Sequence, residues 1–218
     1  SLNMSGGELV ICGTANPSNF STTGGTITVI GNLNANVINL ETALTILNYG
    51  SISTATNITG NGKLYNYGNI SVSGDLDINS NGGLFENYGV TRVSNNLNNS
   101  ATTLNNGSIF ISNTLQNNGG ATFTNNCNLT ASVNFLNNSL FNNNGQMVIG
   151  VTSFLNGSST LNMGVGAQHC TKDVQLNGLL HGPATACASF KVMGNTTING
   201  SGVVNGKISY CDLNGIET

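Results

Sequence analysis

Few side chains in this sequence are spaced so that they could do chemistry together. Asp75 and Asp77, in "GDLDI", are two residues apart, which puts both carboxyls on one face of a strand. Glycoside hydrolysis needs two carboxyls placed across a sugar. These two share an outer face with no acid opposite them, so they read as a solvated exterior pair. Lyase chemistry would want a base beside metal-binding acids, and Arg92 falls about one repeat on but on a different side. His169 and Cys170, with Asp173 nearby, hold the elements of a metal site or an activated thiolate. A metal needs three or four converging ligands, and His181 is the only other histidine. "NGG" at 81–83 and 118–120 reads as turns, not phosphate loops, because no helix follows to offer its amino end. The expectation is no catalytic residue, no cofactor and no metal.

The five cysteines are Cys12, Cys127, Cys170, Cys187 and Cys211. No C-x-x-C occurs, so zinc-ribbon and thioredoxin readings are poor. Cys170 and Cys187 could pair across a short loop in an extracellular chain, and Cys127 reads as a small buried hydrophobe. Charged residues are only 6% of the chain, and the five Lys and Arg are scattered singly. Nucleic-acid binding needs clustered cations, so no nucleic acid is expected. No apolar run approaches the ~20 residues that span a bilayer. The chain opens directly in a strand pattern at Ser1, which reads as a mature or trimmed product.

What the sequence does contain is a repeat. "LNYGSIS" at 47–53, "LYNYGNISV" at 64–72 and "ENYGVTRV" at 86–93 share one register. Aligned on the closing glycine, the reference positions are Gly7, Gly25, Gly50, Gly68, Gly89, Gly107, Cys127, Gly145 and Gly164. Successive spacings are 18, 25, 18, 21, 18, 20, 18 and 19, and a period near twenty signals a stacked repeat. Two and four positions after the reference are mostly apolar, as in Ile52, Ile70 and Ile109 or Val72, Val93 and Ile111. Eight after come Leu33, Ile58, Leu76, Leu97, Leu115 and Phe135, and four before come Ile46, Leu64, Phe85, Phe123 and Phe141. Each repeat therefore holds three short alternating strands between Gly, Asn and Ser turns. The spacing of 25 suggests an enlarged loop between Gly25 and Gly50.

Two positions before the reference stand Asn48, Asn66, Asn87, Asn105, Asn125, Asn143 and Asn162. Asn tolerates the left-handed backbone of a tight corner, the following Gly supplies positive φ, and stacked amides can bond along the axis. Just before the reference, Tyr49, Tyr67 and Tyr88 stack in three consecutive repeats, as a surface contact, a sugar platform or a plain corner ladder. Threonine pairs such as "TIT" at 26–28 suggest an ice-binding face, but Arg92, Phe110 and Val148 break the array. The fold expected is an all-β, three-sided parallel β-solenoid of about 9–10 coils. Residues 1–164 are regular repeats of about 18–21 residues, and 165–218 are irregular final coils acting as a cap or assembly end.

Over residues 5–164 the pattern resembles the parallel β-helix proteins of bacterial cell surfaces, particularly Asn/Gly-rich adhesin and fibre modules. The resemblance implies a right-handed coil and an extracellular setting. Solenoid ends must be capped or they pair with something, and neither end of this sequence shows an amphipathic capping helix. The expected role is a structural rod that stacks end to end, by self-association or onto neighbouring modules, with Cys12 and Cys211 as an intersubunit contact. The alternatives are a neutral-glycan-binding adhesin and, less favoured, a polysaccharide-active enzyme.

Overall fold

The structure is a computed structural model that describes residues 2–18 and 20–212. Each turn carries three short strands, and strands of successive turns pair in parallel, so the backbone hydrogen bonds of the strands run between turns. The first side is one ladder of eleven strands, from Glu8–Ile11 to Val203–Asn205. The second side runs from Thr14–Ala15 through Asn69–Val72 to Ile208–Asp212. The third includes Ile38–Leu40, Leu76–Ile78 and Thr196–Ile198. Below it, Leu2–Met4 pairs with Phe20–Thr22, which packs under Ile38–Leu40. The eleven first-side strands make eleven turns, more than the 9–10 expected, and at ~4.8 Å per turn the rod is about 50 Å long. Residues beyond 164 keep the same pairing. In two consecutive turns on either side of 164 the second and third sides merge into continuous strands, Gln146–Leu155 and Gln168–Leu176, with one register shift between Ile149 and Thr152.

The phase of the first two repeats differs from the sequence expectation. Asn32 pairs with Ser51 and Leu33 with Ile52, whereas Ile27 pairs with Ile46. Gly13 and Gly31, not Gly7 and Gly25, therefore occupy the corner of Gly50, and there is no enlarged loop. "GTITV" at 25–29 and "GSIST" at 50–54 have the same local pattern but lie on different sides. Period-two alternation tells a strand which face is inward without saying which side of the coil it forms.

The corner glycines are needed for a different reason from the one anticipated. Gly50, Gly68 and Gly89 do not have positive φ, and neither do the Asn residues before them. A Cβ on Gly68 would overlap the carbonyl oxygen of Gly50 directly beneath, and one on Gly89 would overlap that of Gly68. At Gly50, Gly68 and Gly89, two successive amides converge on one carbonyl below; Tyr67 and Gly68, for example, both donate to Asn48 O, at 2.7 and 3.0 Å. Close stacking, not backbone chirality, selects glycine here. Cys127 takes this place in its turn and is half-exposed, not buried in the core as expected.

Inside, the alternating residues form largely apolar columns with a few buried polar members such as Thr91 and Thr103. Ile46, Leu64 and Phe85 stack on the first side, Ile52 and Ile70 on the second, and Ile58, Leu76 and Leu97 on the third, all at most 1% exposed. Each such side chain contributes about 1.5–3 kcal/mol on burial, which is what holds a chain so poor in charge together.

Candidate functional site

The most ordered polar feature is inside the rod. Asn48, Asn66, Asn87, Asn105, Asn125 and Asn143 occupy one column and are fully buried. Each Nδ2 donates to the Oδ1 of the next Asn, at 2.7 to 2.8 Å. The other Nδ2 proton reaches a backbone carbonyl after the next corner, as from Asn105 to Asn128 O at 2.9 Å. The amides thus cross-link turns and hold each corner. The column starts where Val29 lies beneath Asn48, whose Oδ1 has no donor. It ends at Met163, whose Sδ accepts from Asn143 Nδ2. Asn162 is not a member. It pairs with Asn142, is only half-buried, and donates to Asn142 Oδ1 at 2.8 Å on the outer face. Gly164 follows Met163 as Asn144 follows Asn143, so it stands one place short of the corner position of Gly145, which Ala167 takes at the end of a longer corner.

A second buried ladder escaped the sequence reading. Asn99, Asn117 and Asn137 stack on the third side, bonded at 2.9 and 2.8 Å, and Thr103 donates to Asn99 Oδ1. Its signal was an Asn ten residues past Gly89, Gly107 and Cys127.

Tyr49, Tyr67 and Tyr88 do stack on the outer corner between the first and second sides. Ring centroids are 4.9 and 5.0 Å apart with interplanar angles of 8°. The rings lie face to face along the rod, so they cover one another's faces and present edges and hydroxyls outward. A sugar platform uses an open ring face, and this ladder closes the faces between its members. Tyr88 Oη donates to Glu86 Oε2 at 2.9 Å, and that bond raises its pKa. Above Tyr88 the column continues as Asn106, Asn126 and Asn144, linked amide to amide at 2.8 Å. Below Tyr49 it continues to Ile30 and Cys12.

The candidate chemistry does not converge. Asp75 lies in a corner, not on the strand of Asp77, and its Oδ1 accepts from the Asn96 amide at 2.9 Å. Asp77 faces outward, half-buried, and accepts from Asn98 Nδ2 at 2.6 Å; partial burial nevertheless raises its pKa. Arg92 lies over the exposed Phe110 ring, 5.2 Å from its centroid. His169 is a core residue. Its ring stacks on Phe190 with centroids 4.5 Å apart, Nε2 shares a 2.9 Å hydrogen bond with Ser153 Oγ, and Nδ1 has no protein partner. Burial lowers its pKa to about 3. His181 sits on the outer face against Asn205. Among the described residues no three of His, Cys, Asp and Glu come together as a metal site.

Cys170 and Cys187 are both free. Cys170 pairs with Lys191, and Cys187 stacks over Gly166, four residues earlier and one turn away, beyond the ~7 Å Cα separation that a disulfide spans. Cys12 is exposed and free on the tyrosine corner of turn 1. The backbone of Cys211 lies on the second side of turn 11, above Lys191. The two cysteines do not share a column.

Comparison with protein-family models, with curated proteins and with solved structures finds no match.

Proposed function

We propose that this chain is a structural rod of an extracellular surface, which stacks end to end with a second copy or with a neighbouring solenoid module of a fibre or adhesin. One observation carries the reading. The inward columns reach the last described turn and are uncovered there, where Ile198 is 59% and Val204 49% exposed. The residues directly beneath them, Leu176 and Leu180, are each 3% exposed. A further turn of the same fold would bury those apolar groups and pair the open strand edges, which otherwise invite association. The low charge supports it, since little repulsion opposes contact between copies. The stacking partner needs only matching parallel strands and an apolar spine, and copies of this chain have both.

Negative-stain microscopy and sedimentation of the purified chain over a concentration series test it. Particles that lengthen along the rod axis, and an Ile198→Lys/Val204→Lys variant that stays at a single length, are expected. Single-length rods at every concentration would overturn self-stacking. A glycan-binding role would instead appear as oligosaccharide binding that weakens in Tyr67→Ala.

A further inference from the structure

The three corners of the rod are not alike. The corner between the third and first sides alternates strictly in length along the whole molecule. Residues 5–7, 41–43, 79–83, 118–121, 156–159 and 199–202 form connections of three to five residues. Between them lie connections of only two, at 23–24, 61–62, 100–101, 138–139 and 177–178. The same turn hydrogen bond closes four of the long ones, from Leu44 to Glu41, Ala121 to Asn118, Ser159 to Asn156 and Gly202 to Asn199, at 2.7 to 3.1 Å. Their tips are exposed, whereas the short corners are buried or half-buried apart from Thr23. The result is a comb of six knobs with five gaps, repeating every two turns or ~9.6 Å. Between the knobs at 79–83 and 118–121 the gap is an open cleft of about 300 Å³, floored by Ser100 and Ala101 and walled by Asn81, Gly82, Gly119 and Gly120.

Each gap is one turn high, ~4.8 Å, the thickness of one layer of polypeptide backbone. The occupant must fit five such gaps at a two-turn pitch, and the knobs of a second rod have that pitch and that thickness by construction. We propose that two copies pair side by side through this corner, the knobs of each filling the gaps of the other. A two-fold axis perpendicular to the rods gives antiparallel partners with a half-period offset. This closes the assembly, because one patch faces itself and the long and short levels exchange. The knob chemistry suits it. Apart from Glu41 the exposed tip residues are uncharged Asn, Gly, Ser, Thr and Ala, so facing ridges do not repel, and their turn amides and carbonyls can bond across the gap. A ridge about 50 Å long and one corner wide is a small interface, so the pair is weak and concentration-dependent. Fibres built of many stacked rods would add such contacts and bundle by avidity.

This pairing does not depend on end-to-end stacking, and particle shape separates the two: stacking lengthens rods at constant width, lateral pairing doubles their width. The test is sedimentation velocity with negative-stain imaging of the full chain from low to high micromolar concentration. Double-width particles are expected to appear with rising concentration. Gly119→Arg thickens one knob tip where a side chain meets nothing of its own chain, and Ser158→Arg does the same at another exposed tip. Each should weaken pairing at least tenfold, while Ser71→Arg on the second side leaves it unchanged. Single-width particles throughout, whether or not they lengthen, would overturn the proposal, as would pairing unaffected by both knob variants. A rise in melting temperature with cello- or chito-oligosaccharides that Gly119→Arg abolishes would also overturn it, assigning the gaps to a neutral glycan chain.

Discussion

Replacing Asn125 by leucine tests whether the buried amides hold the turns or merely fill space. The side chains are similar in volume, so the change removes hydrogen bonds with little cavity. Asn125 accepts from Asn105 Nδ2 at 2.8 Å and donates to Asn143 Oδ1 at 2.8 Å and Gln146 O at 3.0 Å. In Asn125→Leu the buried Asn143 Oδ1 loses its donor, while Asn105 Nδ2 keeps Asn128 O. One orphaned buried acceptor costs about 1–3 kcal/mol and one weakened donor about 1 more, so a loss near 3 kcal/mol is expected. The matched control is Asn48→Val at the ladder's lower end. It orphans Asn66 Oδ1 but also removes the already unpartnered Asn48 Oδ1, and it continues the column of Val29. The two effects offset, leaving a change within about 1 kcal/mol. Urea unfolding followed by circular dichroism measures both, and hydrogen exchange at the Asn144 and Gln146 amides localises the damage. Equal destabilisation by the two variants, or a neutral Asn125→Leu, would show that the buried amides do not hold the turns together.

Other outcomes follow from the same geometry. His169 is held neutral by burial, with a folded pKa near 3 against 6.5 unfolded. Its contribution to stability is complete above about pH 6.5 and is lost as pH falls toward 3, by about 3 kcal/mol at pH 4.5. His169→Phe should flatten that acid limb in a pH series of melting curves, and an unchanged slope would show that His169 is not its source. Gly68→Ala should cost several kcal/mol through the clash with Gly50 O, whereas the same change at Gly119, where a Cβ meets nothing, should be nearly silent in thermal melts. Thiol titration of the native chain should find Cys12 and Cys187 fast and Cys127 and Cys170 slower; a Cys170–Cys187 disulfide recovered on peptide mapping would contradict the ladder register.

Local composition was enough to reveal stacked parallel turns, the inward apolar positions and most of the asparagine column, because identical side chains at a fixed spacing gain hydrogen bonds and packing only when superposed. It was not enough to assign Gly25 and Gly31, or Asn162 and Met163, to their places. Neighbouring patterns on different sides of the coil look the same along the chain, and one extra residue in a corner moves every later side chain by one position. Pairing between turns, at Leu33 with Ile52 and Asn143 with Met163, decides those assignments. The same holds for function. The 18 and 20-odd residue spacings contain the two-turn alternation, but only the tertiary structure gathers the surplus residues onto one corner as knobs. The spacing of tyrosines put three rings in register, and their edge-out stacking was settled by how consecutive turns lie upon each other. Sequence fixes which residues repeat; the height and direction of each turn determine what a partner meets.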